Sequence, residues 1–122
     1  MEESPKLFTI NILDKSQPFS CRLAINPHHP VFKGHFPERP IMPGAWLVRA
    51  IHDIIEQITG EKLILSEARQ VKFLAPLLPD NNPEVMVEGK IYSERTDQWL
   101  VDAQVRVHDK VIVKFSGTFI IS

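Results

Sequence analysis

The sequence predicts an α+β fold in which one long helix is wrapped by an antiparallel sheet of about five to six strands. Between 45 and about 59, apolar residues recur at spacings of three and four, which is typical of a helix. On both sides of that stretch, apolar and polar residues alternate in short segments separated by turn-prone residues, which is typical of strands. A chain of 122 residues can bury one core, so we expect a single domain over 1–122.

Two strands are predicted before the helix, at 6–13 and 18–26, on either side of a turn-prone segment. The following stretch, 27–44, has prolines at positions 27, 30, 37, 40 and 43, which exclude a helix and an interior strand. A loop of this length in a compact domain is more often functional than idle. We therefore expect the chemistry of the protein in this loop.

The helix is predicted to begin at Ala45, after Pro43 and Gly44, and to end at about Thr59 before Gly60. Its apolar side is wide in the first two turns, so the helix must be enclosed, and only a sheet can enclose it here. Successive hairpins after the helix predict an antiparallel arrangement. The remaining strands are predicted at 63–75, 84–93, 99–107 and 111–121.

Composition excludes several classes of protein. With 43% hydrophobic and 24% charged residues, the chain has the composition of a soluble globular protein. A net charge of -1 without basic blocks predicts no nucleic-acid partner and no membrane surface. The acidic N-terminus is unlike a signal peptide, and no segment reaches the roughly 18 apolar residues of a spanning helix. Cys21 is the only cysteine, which fits a reducing compartment, and we expect a buried packing role for it and a cytoplasmic location.

His35 is the titratable residue that best fits a catalytic role. It lies in the proline-rich loop, nine residues before Gly44 at the helix start, where unpaired backbone N–H groups and the helix dipole favour negative charge. A base facing such a site can remove a proton beside a thioester carbonyl while the helix N-terminus stabilises the oxygen. A solvated loop histidine is the alternative.

The other histidines are weaker candidates. His28 and His29 are adjacent and point in different directions in an extended chain, so we expect no metal site and no cofactor. His52 and His108 are predicted to be structural or solvated. Cys21 lies in a predicted strand without a neighbouring base, and no serine has the context of a nucleophile, so covalent catalysis is not expected.

Charged residues recur along one face of the helix. Arg49, Asp53 and Glu56 have spacings of four and three, so their side chains can pair. A solvated stripe of salt bridges is one interpretation and a functional cluster is the other. The basic residue comes first, which is the weaker order for helix stability.

Two segments resemble a known family. FKGHFPERPIMPG, which leads into the helix, is similar to the active-site segment of the 3-hydroxyacyl-ACP dehydratases, the FabA/FabZ group, and VKFLAPLLPDN resembles a later strand and turn of that group. The resemblance covers about residues 26 to 90. It implies a hotdog fold, in which the sheet wraps the helix, and dimers with active sites at the subunit interface.

The resemblance also implies roles for individual residues. His35 matches the histidine that acts on the C2 proton of the substrate, and Gly44 matches the glycine whose N–H polarises the thioester carbonyl. The acid of the family lies fourteen positions after the histidine, where this chain has Arg49. Arginine cannot deliver a proton at ordinary pH. Asp53, one turn further along the same face, is a candidate replacement acid.

Three hypotheses follow. The first is a hydro-lyase that eliminates water from a (3R)-hydroxyacyl-ACP in fatty acid or polyene/polyketide-type biosynthesis, with Asp53 or an ordered water as acid. The second is a heterodimer in which a related hotdog subunit supplies the carboxylate, since the chain resembles the short, divergent accessory dehydratases of aryl polyene and flexirubin pathways. The third is a non-catalytic acyl-ACP binder or an acyl-thioesterase. All three predict an acyl carrier protein or CoA thioester as partner, in a homodimer or heterodimer.

Two further sets of residues are candidates for substrate and partner contacts. One set is apolar and is consistent either with a tunnel for the acyl chain or with plain core packing. The other set is basic and predicts a docking surface for an acidic carrier protein. The tunnel candidates are Phe36, Met42, Trp46 and Phe73. The docking candidates are Lys33, Arg39 and Lys72.

Overall fold

The computed structural model describes residues 6–32, 41–79 and 83–122. Within them lie six strands, one long helix and a short 3-10 turn, which confirms the predicted α+β architecture. The strands are β1 (Phe8–Asp14), β2 (Phe19–Ile25), β3 (Leu63–Phe73), β4 (Glu84–Arg95), β5 (Gln98–Val107) and β6 (Lys110–Ile121), the helix α1 is Gly44–Thr59, and the 3-10 turn is Pro30–Phe32.

The strands form one antiparallel sheet in the order β1-β2-β4-β5-β6-β3. Hairpins join β1 to β2 and connect β4, β5 and β6 in succession, as predicted. The expectation of successive hairpins is wrong for β3 and β4, because β3 pairs with β6 and β4 pairs with β2. Since α1 contacts both edge strands, β1 and β3, the helix carries the chain across the sheet to the edge beside β6.

The core lies between α1 and the inner face of the sheet. Helix residues at spacings of three and four are buried, and every second residue of β2 is buried, so both predicted periodicities are found. The largest side chains of this core come from β2 and β6, where Phe19, Phe115 and Phe119 are almost fully buried. The buried helix residues are Leu47, Ala50, Ile51, Ile54 and Ile55.

Both ends of α1 follow from the residues that flank it. Pro43 has an extended backbone and precedes the helix, which begins at Gly44, one residue earlier than predicted. Gly60 ends the helix in the left-handed region, at φ 75°, and its N–H donates to Glu56 O at 2.8 Å. Among the described residues, no helix is long and apolar enough to span a membrane.

The edge strand β3 contains two bulges. Ser66 and Arg69 have no register partner on β6, and their side chains bond back to that strand instead. Ser66 Oγ donates to Thr118 O at 3.2 Å, and an Arg69 Nη donates to Thr118 Oγ1 at 2.6 Å. Most side chains of β3 are exposed, so one edge of the sheet ends in a strand that is irregular and open to solvent.

Candidate active site

The first turn of α1 presents backbone N–H groups that no described side chain caps. Pro43 occupies the N-cap position with φ -62° and ψ 133°, and its carbonyl accepts the N–H of Trp46 at 3.1 Å. Gly44, the first helical residue, has no side chain to shield this end. A helix N-terminus carries partial positive charge and favours an oxygen that gains negative charge. This is the chemistry predicted for Gly44, whose catalytic role stays a prediction.

The aromatic ring of Phe73, at the end of β3, lies directly against Gly44. A Cβ atom on residue 44 would lie 2.5 Å from Cε1 and 2.6 Å from Cζ of this ring, so only glycine fits while the ring is there. Both residues line an apolar cavity of about 460 Å³, together with the buried Met42. Trp46, 41% exposed, is not part of this lining. Of the tunnel candidates, the structure therefore brings Met42 and Phe73 together and leaves Trp46 apart.

The predicted base His35 and the remaining tunnel candidate Phe36 lie outside the described residues, as do the docking candidates Lys33 and Arg39. Their roles stay predictions. Lys72, the third docking candidate, is exposed on β3.

The described residues on both sides of the predicted loop are anchored to the core. Phe32, on the N-terminal side, is 4% exposed. On the C-terminal side, Met42 N donates to Leu77 O at 2.9 Å, and both side chains are buried. The chain thus enters and leaves the segment of His35 at positions held by core packing.

Arg49, at the position of the family acid, extends from α1 into solvent, with 62% of its side chain exposed. Its Nε lies 3.1 Å from Oδ1 of Asp53, which confirms the predicted pairing of these two residues. The same oxygen lies 2.9 Å from Nδ1 of His52. Both contacts therefore engage the same carboxylate oxygen of Asp53. The role of Asp53 as a replacement acid stays a prediction.

His52 connects the helix to the start of β3. Its Nε2 lies 2.7 Å from Leu63 O, while its Nδ1 faces Asp53. Each ring nitrogen therefore lies within hydrogen-bond distance of an oxygen, one from the helix and one from the backbone at the start of β3. The ring also packs at 5.9 Å from that of Phe119, and only 14% of the side chain is exposed. The expectation of a structural histidine agrees with these contacts.

Glu56 completes this connection from the next turn of α1. Its Oε2 accepts the N–H of Leu63 at 2.8 Å, and it lies 3.5 Å from Nε2 of His52. Both backbone polar groups of Leu63 are therefore bonded by helix side chains, an arrangement we name the Leu63 clamp (His52, Glu56 and Leu63). The sequence alone did not predict this arrangement. The spacing of four between His52 and Glu56 indicates that the two side chains lie on one helix face. Their shared partner is the backbone of Leu63, and a backbone partner leaves no pattern in the sequence.

A metal ion is not needed to explain this cluster. One ligand atom from each of His52, Asp53 and Glu56 lies within 4.8 Å of the others. The hydrogen bonds to Leu63 and the salt bridge to Arg49 already engage these groups. Hydrogen bonding thus accounts for their closeness.

Cys21 is fully buried on β2, in agreement with its predicted packing role. Burial raises the pKa of its thiol to about 11, with a smaller opposing effect from a hydrogen bond to the backbone of Asn11. The thiolate is the nucleophilic form, so a thiol with this pKa is inert near neutral pH. The geometry therefore agrees with the expectation that this cysteine is not a nucleophile.

Comparison with solved structures identifies the fold. The dehydratase heterocomplex ApeI:P from Xenorhabdus doucetiae is 18% identical with a TM-score of 0.66, covering 92% of this chain and 98% of that one. A hypothetical thioesterase with coenzyme A from Streptococcus pneumoniae is 8% identical with a TM-score of 0.69, covering 93% and 86%. At these identities the likeness shows the fold alone, and it confirms the predicted hotdog fold.

Sequence comparison identifies the family. The 3-hydroxyacyl-[acyl-carrier-protein] dehydratase FabZ of Levilactobacillus brevis is 25% identical over 120 residues, which cover 93% of this chain and 80% of that protein. Other FabZ proteins match over only 61% to 62% of their own length. The model of the ApeI-like family, described as ApeI dehydratase, matches residues 11–114. The predicted resemblance is therefore confirmed, and the chain belongs to the ApeI-like family of hotdog dehydratases.

Proposed function

We propose that this protein is a subunit of a hydro-lyase that removes water from a (3R)-hydroxyacyl thioester, carried by an acyl carrier protein or CoA. In this reaction the C2–H and C3–O bonds break, a C2=C3 double bond forms and water leaves. The observation that carries the proposal is the uncapped start of α1 at Gly44, which opens beside an apolar cavity. The Gly44 N–H would polarise the thioester carbonyl, and His35 would take the C2 proton.

The acid that protonates the departing hydroxyl is proposed to come from a related subunit. Arg49 stays charged and cannot donate a proton at ordinary pH. Asp53 is engaged by Arg49 and His52 through one carboxylate oxygen. A helix carboxylate from a second, related chain would supply the missing group. That a dehydratase named ApeI:P has been solved as a heterocomplex supports this assignment.

The exposed edge of the sheet at β3 is the surface we propose for that second subunit. β3 is the last strand of the sheet, so beyond Leu63, where the Leu63 clamp ends, its outward edge has no neighbouring strand among the described residues. Ile64 at the start of β3 and Phe73 at its end are 50% and 54% exposed, and burial in a subunit contact would remove this apolar surface from water. We propose a cytoplasmic enzyme, consistent with a single, unpaired cysteine.

The test is an assay of the purified chain, alone and with candidate hotdog subunits, on a 3-hydroxyacyl-ACP. We expect enoyl product only when a subunit that carries the helix carboxylate is present, and we expect His35→Ala to abolish it. Enoyl product from the chain alone would overturn the need for a partner. If no combination of subunits forms enoyl product, the dehydratase proposal is overturned. Release of free thiol would instead support the acyl-thioesterase hypothesis. A structural neighbour that is a hypothetical thioesterase with coenzyme A is the reason to include this alternative.

A further inference from the structure

The 3-10 turn, Pro30–Phe32, is the last described element before the segment of His35. His29 precedes this turn, and its carbonyl oxygen accepts the N–H of Phe32 at 3.1 Å. The ring of His29 closes the turn a second time, because Nδ1 accepts the N–H of Val31 at 3.0 Å. The proline at the first position has no N–H, so Val31 has the first free donor of the turn. His29 therefore caps the turn through both its backbone and its side chain.

The contact with Val31 determines which nitrogen of the His29 ring carries hydrogen. A backbone N–H can only donate, so Nδ1 is the acceptor and the proton of the neutral ring is on Nε2. Protonation of the ring would place a second donor against the Val31 N–H, and the bond would be lost. Among the described residues no carboxylate forms an ion pair with His29, and the basic groups of the adjoining segments, His28 and Lys6, are exposed. The neutral ring is therefore the form that caps the turn.

The chain is held on both sides of His29. Before it, Asn26 N donates to Leu7 O at 2.9 Å, and Asn26 Oδ1 accepts the N–H of His28 at 3.0 Å. The N–H of His29 itself donates to Asn26 O at 3.2 Å. After it, Phe32 is buried in the core, with 4% of its surface exposed. The segment from Asn26 to Phe32 thus has one defined path, and His29 lies at its centre.

We propose that His29 is a positioning residue of the candidate active site. Its ring fixes the 3-10 turn, and the turn fixes the direction in which the chain leaves the core at Phe32, three residues before His35. A base must lie within hydrogen-bond reach of the proton that it removes, and a displacement of about 1 Å can cost about a hundredfold in rate. This inference rests on the proposed function, because it assumes that His35 acts on a bound thioester.

Three substitutions separate the acceptor atom of His29 from the size of its side chain. Asparagine carries an oxygen at the place of Nδ1 and bonds the N–H two residues on, so His29→Asn should keep the turn. Glutamine carries its oxygen at the place of Nε2, so His29→Gln should lose the bond, as should His29→Ala. His28→Ala is the matched control, since His28 is exposed and its ring forms no hydrogen bond among the described residues. Rescue by asparagine but not by glutamine cannot come from a general loss of stability.

The activity assay is dehydration of 3-hydroxyoctanoyl-ACP by the subunit combination that forms enoyl product. We expect kcat to fall about tenfold to a hundredfold in His29→Ala and His29→Gln, with KM within about twofold of the wild type, since the cavity beside Gly44 is not altered. His29→Asn and His28→Ala should keep both constants. If His29→Ala is as active as the wild type, the positioning role is wrong and the dehydratase stands. If no wild-type combination forms product, the proposed function fails, and the positioning role fails with it.

Hydrogen exchange of the Val31 amide tests the cap without an activity assay. Its protection should fall about five- to tenfold in His29→Ala and His29→Gln and should be retained in His29→Asn. In the wild type, protection should fall by a similar factor as the His29 ring takes up a proton, which its own Cε1–H signal reports. In His29→Asn, protection should stay constant over the same pH range. Protection of Val31 that does not follow the protonation of the ring would show that the ring does not cap the turn, and this result would overturn the inference.

Discussion

The Leu63 clamp should stabilise the fold by an amount that can be calculated from its hydrogen bonds. The Leu63 N–H donates to Glu56 Oε2 at 2.8 Å, and Leu63 is only 4% exposed. Glu56→Ala removes this acceptor and leaves the N–H buried without a partner. A buried donor without a partner costs about 1–3 kcal/mol. The Glu56 side chain is 21% exposed, so water partly replaces it, and we expect a loss of about 1–2 kcal/mol.

The second half of the clamp should contribute a similar amount. His52→Ala removes the bond to Leu63 O at 2.7 Å and the ring contact with Phe119, and we expect a loss of about 2 kcal/mol. The two losses should not add, because both side chains bind one residue and lie 3.5 Å apart. We expect a coupling of about 0.5–1 kcal/mol in the double variant.

Urea unfolding followed by circular dichroism measures these free energies, and hydrogen exchange of the Leu63 amide reports on the clamp itself. Glu56→Gln keeps an oxygen acceptor and should retain most of the stability and of the amide protection. Gln57→Ala is the matched control, since Gln57 is an exposed neighbour on α1. If Glu56→Ala and His52→Ala both stay within about 0.5 kcal/mol of the wild type, and the Leu63 amide exchanges at an unchanged rate, the clamp does not stabilise the fold.

Three other predictions concern single residues. Arg49→Glu restores the acid of the family and should give the chain dehydratase activity without a partner. Repulsion by Asp53 should lower the free energy of unfolding by about 0.3–0.5 kcal/mol. A variant that folds but is inactive would refute this prediction. Gly60→Ala should lower the unfolding free energy by about 1 kcal/mol, because φ is 75° there, whereas an unchanged midpoint in urea would show that the helix end relaxes at no cost. The raised pKa of Cys21, about 11 against an ordinary 9.0, means that the thiol ionises first in the unfolded chain. Stability is therefore kept below pH 9 and lost as pH rises toward 11, by at most about 1.4 kcal/mol per pH unit, and Cys21→Ala should remove this dependence.

The strand and helix positions followed from local patterns because burial imposes a period of two or 3.6 on the side chains. The predicted bounds differ from the observed ones by one or two residues, as at Gly44, where the helix begins one residue early. The pairing of β3 with β6 did not follow. Alternation tells which face of a strand is buried, but it carries no information on which strand lies beside it.

Some features of the candidate site could also be predicted from the sequence, and others could not. Residue identity and spacing along the chain were enough to predict the fold class, the family resemblance, Gly44 at the helix start and the replacement of the family acid by Arg49. Three contacts became visible only in the folded chain: the Phe73 ring lies against Gly44, Asp53 is shared by Arg49 and His52, and both backbone polar groups of Leu63 are bonded by helix side chains. Contacts to Phe73 and Leu63 join segments that are distant in sequence or involve backbone atoms, and neither kind of contact leaves a pattern in the order of residues.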